Sequence, residues 1–298
     1  MPEDRIRAYA CFGGLPAYLR YWDQESDLER QVQSTLLDPG HVLFREAEEL
    51  LRTEFHQEAL YASILRAVAS GEERPSDIAR AVGRHSADEI FDHLRRLQEL
   101  RFLVRLVPAT EWDRPRTQRV LYRLADPYLR FWFRFVSPYQ SFLQLGRAAE
   151  VWQREIRPSL DEFVARTTWE EVCAQHLWRG LEAGGLPVSL AQLGPWWDGK
   201  AEIDLVGLWR GQVTLVGECK WTAGPVAEDV LAHLQRKAEK LPMTERPLWV
   251  LASRSGFVSD LRRRGRGRRP RTAGAGGLVL VGSAGPQAVA TPAESGVG

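Results

Sequence analysis

Residues 201–220 read AEIDLVGLWRGQVTLVGECK, and this stretch decides the fold that we expect for the C-terminal half of the chain. It contains two β-like runs joined by a short polar turn, namely Ala201–Leu208, Val213–Cys219 and the turn Trp209–Gln212. Because side chains alternate along a strand, Glu218 and Lys220 share one face of the second run. A tight hairpin brings Asp204 close to them, so the stretch predicts a cluster of charged side chains.

The spacing of these charged residues has a chemical meaning. An aspartate followed by a Glu-x-Lys tripeptide is typical of metal-dependent phosphodiester cleavage on a restriction-endonuclease-like sheet, and here the residues are Asp204, Glu218 and Lys220. Two carboxylate ligands suffice for a Mg²⁺ ion that keeps most of its waters. A neighbouring lysine orients the attacking water or stabilises developing charge. The alternative is a half-buried hairpin whose charges simply face solvent.

Composition excludes some classes of protein. The 298 residues are 44% hydrophobic and include 11 tryptophans, which permits two sizeable cores. There is no long apolar run and no signal-peptide pattern, so we expect a cytoplasmic protein without membrane association. Three scattered cysteines form neither a zinc spacing nor a disulfide framework. The net charge of +1 does not indicate a nucleic-acid binder, although residues 262–271 are a dense Arg/Gly block. That block favours either phosphate binding or a solvated loop.

The middle of the chain has the element order of a winged helix-turn-helix. Three segments with helical spacing are followed by two β-like runs. The segments are Ala59–Ser70, Ile78–Val82 and Ser86–Leu100, and the runs are Phe102–Val107 and Arg119–Leu124. Ser86 and Glu89 form a capping-box pattern at the start of the third helix. We predict that Arg84, Arg95 and Arg96, near or on its exposed faces, contact DNA phosphates. The alternative is a winged helix used only for protein packing.

The remaining segments predict a buried helix and then a second domain. Residues Leu129–Tyr139 are rich in aromatic side chains, and a helix that is apolar on all sides is buried, which favours a core helix over a nucleotide-stacking platform. Beyond it the pattern predicts two helices and two strands in addition to the hairpin, over Trp169–Ala183, Pro225–Leu241, Leu248–Ala252 and Leu278–Val281. The order helix, strand, strand, helix, strand matches the core of a restriction-endonuclease-like domain.

One apparent nucleotide-binding motif fails on its chemistry. Gly194, Gly199 and Lys200 have the spacing of a phosphate-binding loop, but Ala201 stands where a Ser or Thr would ligate magnesium. Two tryptophans fill the loop, and a strand follows where a helix is required. We therefore expect no ATP binding by this chain alone.

Five segments together resemble the C-terminal half of the archaeal-type P-loop ATPases, in which an ATPase core is followed by a winged helix and a PD-(D/E)XK nuclease-like domain. The segments cover most of the chain from Phe12 to Phe257. They are FGGLPAYL at 12–19, LYRLADPYLRFWFRF at 121–135, EIDLV at 202–206, GECKW at 217–221 and SRSGF at 253–257. Their joint order is more specific than any one segment.

The resemblance implies an α+β or α/β chain in four parts. We expect a helical remnant of an ATPase lid at 1–54, the winged helix at 55–125, a nuclease-like domain with a helical lead-in at 126–283, and a disordered tail at 284–298. The resemblance also implies that Glu170, with Glu171 as a substitute, is an extra acidic residue of the site. The ATPase core is missing, so we expect a truncated relative, a separately encoded half, or the product of a misplaced start or frameshift.

Two functions are consistent with these patterns. In the first, Asp204 and Glu218 bind Mg²⁺ with help from Glu170, Lys220 positions the water, and the winged helix contacts DNA during phosphodiester hydrolysis. In the second, the chain is a non-catalytic DNA- or partner-binding or regulatory module that works with a separate ATPase.

Overall fold

The computed structural model describes residues 2–23, 25–55, 58–114, 116–266, 278–282 and 285–286. The chain divides into two compact units. The first comprises Glu3–Val107 and Arg116–Thr168, and the second comprises Pro108–Pro115 and Trp169–Gly298. Helices and two separate sheets occur together, so the predicted α+β class is confirmed. The predicted boundaries after residues 54 and 125 lie inside the first unit and stay a prediction. Apart from Gly285–Pro286, the predicted disordered tail lies outside the described residues, as does the basic block beyond Arg266.

The first unit is largely helical. Its helices are α1 Pro2–Phe12, α2 Pro16–Leu19, α3 Leu28–Thr35, α4 Val42–Glu54, α5 Glu58–Ala69, α6 Pro75–Ala81, α7 Phe91–Glu99, α8 Pro127–Phe131, α9 Gln140–Gln144, α10 Ala148–Val151 and α11 Arg157–Val164. Its strands are β1 Leu103–Leu106 and β2 Leu121–Leu124, which pair antiparallel. Across the described part of the chain, no helix has the length and apolar character needed to span a bilayer.

Helices α5 to α7 and the hairpin β1–β2 follow the order expected for a winged helix. The helices are held by buried apolar side chains, among them Ile64, Leu65, Ile78, Leu94 and Leu97. The capping box at Ser86 is present, because Glu89 accepts a hydrogen bond from the Ser86 backbone N–H at 3.2 Å. It opens a short 3₁₀ turn, Ala87–Ile90, before α7 begins at Phe91.

The aromatic segment after β2 is core, as predicted. It forms α8, a π-helical turn at Trp132–Val136 and a 3₁₀ turn at Ser137–Tyr139. The Tyr128 hydroxyl donates to the Leu43 carbonyl at 2.7 Å, and the Trp132 indole donates to the Phe44 carbonyl at 2.7 Å. These bonds satisfy polar atoms of buried rings and tie the segment to α4.

The second unit is built on a mixed sheet with helices attached to it. Its elements are α12 Glu170–Glu182, β3 Gln192–Trp197, β4 Glu202–Trp209, β5 Gln212–Lys220, α13 Glu228–Ala238, β6 Met243–Ser253, α14 Ser259–Arg266, β7 Leu278–Gly282 and β8 Gly285–Pro286. The strand order is β3-β4-β5-β6-β7-β8. Strands β5, β6 and β7 are parallel, and the other neighbouring pairs are antiparallel. Helix α13 connects β5 to β6, as parallel pairing requires.

The predicted hairpin is confirmed, with small differences in its bounds. Strand β4 begins and ends one residue later than expected, and β5 is one residue longer at each end. Trp209 pairs with Gln212, which leaves a two-residue turn. Arg210 and Gly211 both have positive φ, at 51° and 77°. Two positive φ values define the turn type that matches the twist of a two-residue hairpin.

Strand β3 is an element that the sequence patterns missed. The segment around Gly194-Pro195 looks like a loop, yet it pairs with β4 along its length. Proline is tolerated because β3 is an edge strand, and the register shifts between Gly194 and Trp196 where Pro195 has no N–H to donate. Gly194 therefore lies within a strand of the sheet, and the expectation of no ATP binding stays a prediction.

The two faces of the sheet have different surroundings. Val216, Trp249 and Leu251 pack with α13 residues in one hydrophobic cluster. On the opposite face, Gly217 lies between two side chains, since a Cβ added there would be 3.1 Å from the Leu205 Cβ and 3.2 Å from the Val250 Cβ. Glu218 follows the alternation of Val216 and therefore projects toward α13.

Candidate functional site

The pairing of β4 with β5 brings the two predicted carboxylates together. The register reaches Leu205 opposite Gly217, so Asp204 and Glu218 are the next residues along the two strands. Asp204 is half-buried, and its Oδ2 accepts a hydrogen bond from the Cys219 backbone N–H at 2.7 Å. The Glu218 side chain is only 6% exposed. Both carboxylates are thus held by the sheet itself.

Lys220 lies where the sequence predicts it, next to Glu218. Its Nζ donates to Glu218 Oε1 at 2.7 Å, and its side chain is 37% exposed. Burial lowers the pKa of Lys220, but the hydrogen bond and charge of Glu218, together with the charges of Asp204 and Cys219, outweigh burial and leave that pKa above its usual value. Lys220 is therefore a protonated donor on a buried carboxylate, with part of its side chain open to solvent.

A second lysine contacts the same carboxylate. Lys237 of α13 places its Nζ 3.2 Å from Glu218 Oε1 and 3.3 Å from Oε2. The sequence patterns missed this residue. A signal was present, because Lys237 follows Leu234 by three positions and precedes Ala238, and both are buried against the sheet. We call Asp204, Glu218, Lys220 and Lys237 the carboxylate–lysine cluster.

The surroundings of Asp204 raise its pKa and so disfavour its charged form. Burial is the main reason that the pKa of Asp204 rises to about 6, and the negative charge of Glu218 adds to the increase. The Cys219 N–H and the two lysines oppose the increase. A carboxyl group with such a pKa is destabilised when ionised, and a nearby cation would relieve that cost.

Glu170 and Cys173 both act on Cys219, the residue between Glu218 and Lys220. Glu170 begins α12 and acts electrostatically on Cys219, whose pKa is raised well above its usual value by burial, by a hydrogen bond with Cys173 and by nearby charges. Glu171 instead accepts a hydrogen bond from Gln175 at 3.2 Å. Within the described ranges, no three side chains of Asp, Glu, His or Cys form a metal-binding group. The predicted metal role of Glu170 stays a prediction.

The donor set of the cluster suits one kind of cation. Carboxylate oxygens are hard ligands, and a pair of them matches the way Mg²⁺ binds through one or two carboxylates while keeping several waters. Asp204 and Glu218 can supply these oxygens. The Glu218 oxygens are already acceptors for Lys220 and Lys237, so a cation would share or replace those contacts.

The three predicted DNA-contacting arginines are exposed but not equivalent. Arg95 pairs with Asp92 at 3.0 Å and with Glu99 at 3.9 Å, and Arg96 pairs with Glu99 at 3.6 Å. Arg84 precedes α7, and its backbone N–H donates to the Ala79 carbonyl at 2.8 Å. Asp92 and Glu99 therefore offset the positive charge of Arg95 and Arg96 on α7. Arg84 lies outside that helix.

Comparisons with known proteins find sequence similarity to archaeal and bacterial proteins. A family model described as archaeal and bacterial proteins of unknown function matches residues 132–239. An uncharacterized protein of Methanocaldococcus jannaschii is 27% identical over 226 residues, which is 74% of this chain and 48% of that protein. The chain therefore spans about half the length of this relative. No solved structure matches the chain.

Proposed function

We propose that the chain hydrolyses phosphodiester bonds of DNA in a Mg²⁺-dependent reaction. The observation that supports this most strongly is the convergence of Asp204, Glu218 and Lys220, with Lys220 Nζ 2.7 Å from Glu218 Oε1. Asp204 lies on a different strand from Glu218 and Lys220, and an ion pair between Glu218 and Lys220 does not require the additional half-buried aspartate. The cost of ionising Asp204 is typical of a functional site, where charge is held ready for a ligand.

Each residue has a role that follows from its position. Asp204 and Glu218 would hold the cation, which when bound supplies Lewis-acid activation of the phosphate and of water. Lys220 is more exposed than Lys237 and can reach a substrate from its strand, so it orients the attacking water or stabilises developing phosphate charge. Glu170 assists from the start of α12. The winged helix supplies contacts to the DNA backbone that do not depend on sequence.

A cleavage assay tests this function. Purified full-length protein is incubated with supercoiled plasmid and with linear DNA, with Mg²⁺, Mn²⁺ or a chelator. We expect nicked or linear products only with a metal, and none from Asp204→Asn. Glu202→Gln is the matched control, because Glu202 is an exposed carboxylate two residues away on the same strand. Absence of cleavage in every metal condition would contradict the proposal.

One observation favours a second, non-catalytic function. Two carboxylates and two lysines give the carboxylate–lysine cluster no net charge, which also suits a stable ion-pair network in a DNA- or partner-binding module working with a separate ATPase. Binding of labelled duplex DNA, measured by fluorescence anisotropy, distinguishes the functions. Binding without cleavage in Mg²⁺ or Mn²⁺ supports the module.

A further inference from the structure

Lys237 makes a more complete contact with Glu218 than Lys220 does. Its Nζ lies within 3.3 Å of both carboxylate oxygens, whereas Lys220 contacts Oε1 alone. The Lys237 side chain is 19% exposed, about half the value for Lys220. Buried neighbours on α13 hold this turn of the helix against the sheet. Lys237 therefore covers the oxygens that a cation would need.

Charge balance sets the consequence of that contact. With both lysines in place, the positive charges of the cluster equal the negative ones, and both oxygens of Glu218 accept ammonium hydrogen bonds. A divalent cation that binds Glu218 must replace at least one ammonium, since like charges at such distances repel strongly in a half-buried site. The Lys237 ammonium ends a long, flexible side chain, whereas Glu218 lies in a central strand.

We propose that Lys237 is a positioning residue that occupies Glu218 when no metal is present and leaves it when a divalent cation binds. Lys237 thereby weakens the metal affinity of the cluster and limits occupancy to conditions of sufficient free cation. This inference rests on the proposed function, because it assumes that Asp204 and Glu218 form the metal site.

Isothermal titration of Mn²⁺ into the full chain tests the inference without relying on activity. Lys237→Met removes the competing charge, and we expect its Mn²⁺ dissociation constant to fall about tenfold relative to wild type. Lys237→Arg keeps the charge and should restore an affinity close to wild type. Lys240→Met is the control, because Lys240 pairs with Asp198 at 2.6 Å, away from Glu218.

The outcomes separate the two claims. If Mn²⁺ binds wild type and this binding is lost in Asp204→Asn, the metal site stands. An unchanged or weaker affinity in Lys237→Met then overturns the role of Lys237 alone. Absence of Mn²⁺ binding to both wild type and Lys237→Met overturns the metal site and the inference together. Thermal unfolding checks that each variant is folded, and Lys237→Gln replaces the methionine variant if that one is not.

Discussion

The carboxylate of Asp204 accepts a hydrogen bond from the backbone N–H of Cys219 at 2.7 Å, although its surroundings raise the pKa of Asp204 and so disfavour the charged form. The hydrogen bond holds Asp204 of β4 against β5, the strand that carries Glu218 and Lys220. Burial and the charge of Glu218 raise its pKa nevertheless. The site therefore holds an ionisable group in place at a cost in stability, and this cost can be measured.

We predict that Asp204→Asn is more stable than wild type at neutral pH. The folded-state pKa of about 6 exceeds the ordinary value of 3.8, so the native state binds the proton more tightly. The stability contributed by protonated Asp204 is present at low pH and is lost as pH rises from about 4 to 6. Asparagine keeps the shape without the charge, and we expect a gain of about 1–3 kcal/mol at pH 7.5.

Urea unfolding at pH 4 and pH 7.5 measures this effect. The stability difference between Asp204→Asn and wild type should be large at pH 7.5 and small at pH 4. A variant that is less stable at pH 7.5, or a difference that does not change with pH, would contradict the argument.

Gly217→Ala should destabilise the second unit by about 1–3 kcal/mol. The new Cβ meets the Cβ atoms of Leu205 and Val250, and both are fixed by strands on either side of β5. Gly224→Ala is the control, because a Cβ at that glycine meets nothing within 4 Å. Chemical denaturation of both variants makes the comparison. Equal stabilities would show that the strands shift easily.

Replacing Arg84, Arg95 and Arg96 together by alanine should weaken DNA binding equally for all sequences. Each lost phosphate contact lowers the dependence of log affinity on log salt by about 0.9, so the slope should fall by about 2–3. Anisotropy titrations at several salt concentrations measure it. Arg154→Ala is the control, since Arg154 is exposed and pairs with Glu150 outside the winged segment. An unchanged slope would favour a winged helix used only for packing.

The thiol of Cys219 should react slowly in the native protein. Burial raises its pKa, and the neighbouring Cys173 and the carboxylates of Asp204 and Glu170 raise it further, so little thiolate forms at pH 8. Mass spectrometry after a timed pulse of iodoacetamide should find Cys219 mainly unmodified, and fully modified when the chain is unfolded in urea. Rapid labelling of the native protein would indicate that the site opens.

The hairpin and its charged cluster could be predicted because their determinants are local. Alternation along Gln212–Lys220, together with a two-residue turn, fixes which side chains share a face. Asp204 and Glu218 then meet by register alone. The ion pairs of Arg95 and Arg96 also follow from helical spacing to Asp92 and Glu99.

Other features depend on contacts that no local pattern contains. Strand β3 contains Gly194 and Pro195, which locally favour a loop, and only pairing with β4 makes it a strand. Lys237 reaches Glu218 because α13 packs on the sheet with a particular rotation about its own axis and a particular position along the strands. The spacing of its apolar residues indicates the rotation but not the position along the strands.

The ratio of Mg²⁺-dependent plasmid nicking rates between wild type and Lys220→Met tests the central claim most directly. Lys220 is part of the convergence that supports catalysis, and its replacement leaves both carboxylates and Lys237 in place. If the carboxylate–lysine cluster is a phosphodiesterase site, wild type should nick DNA with Mg²⁺, and Lys220→Met should be slower by at least about 100-fold. Equal rates in the two proteins, or nicking that persists with a chelator, would contradict the account.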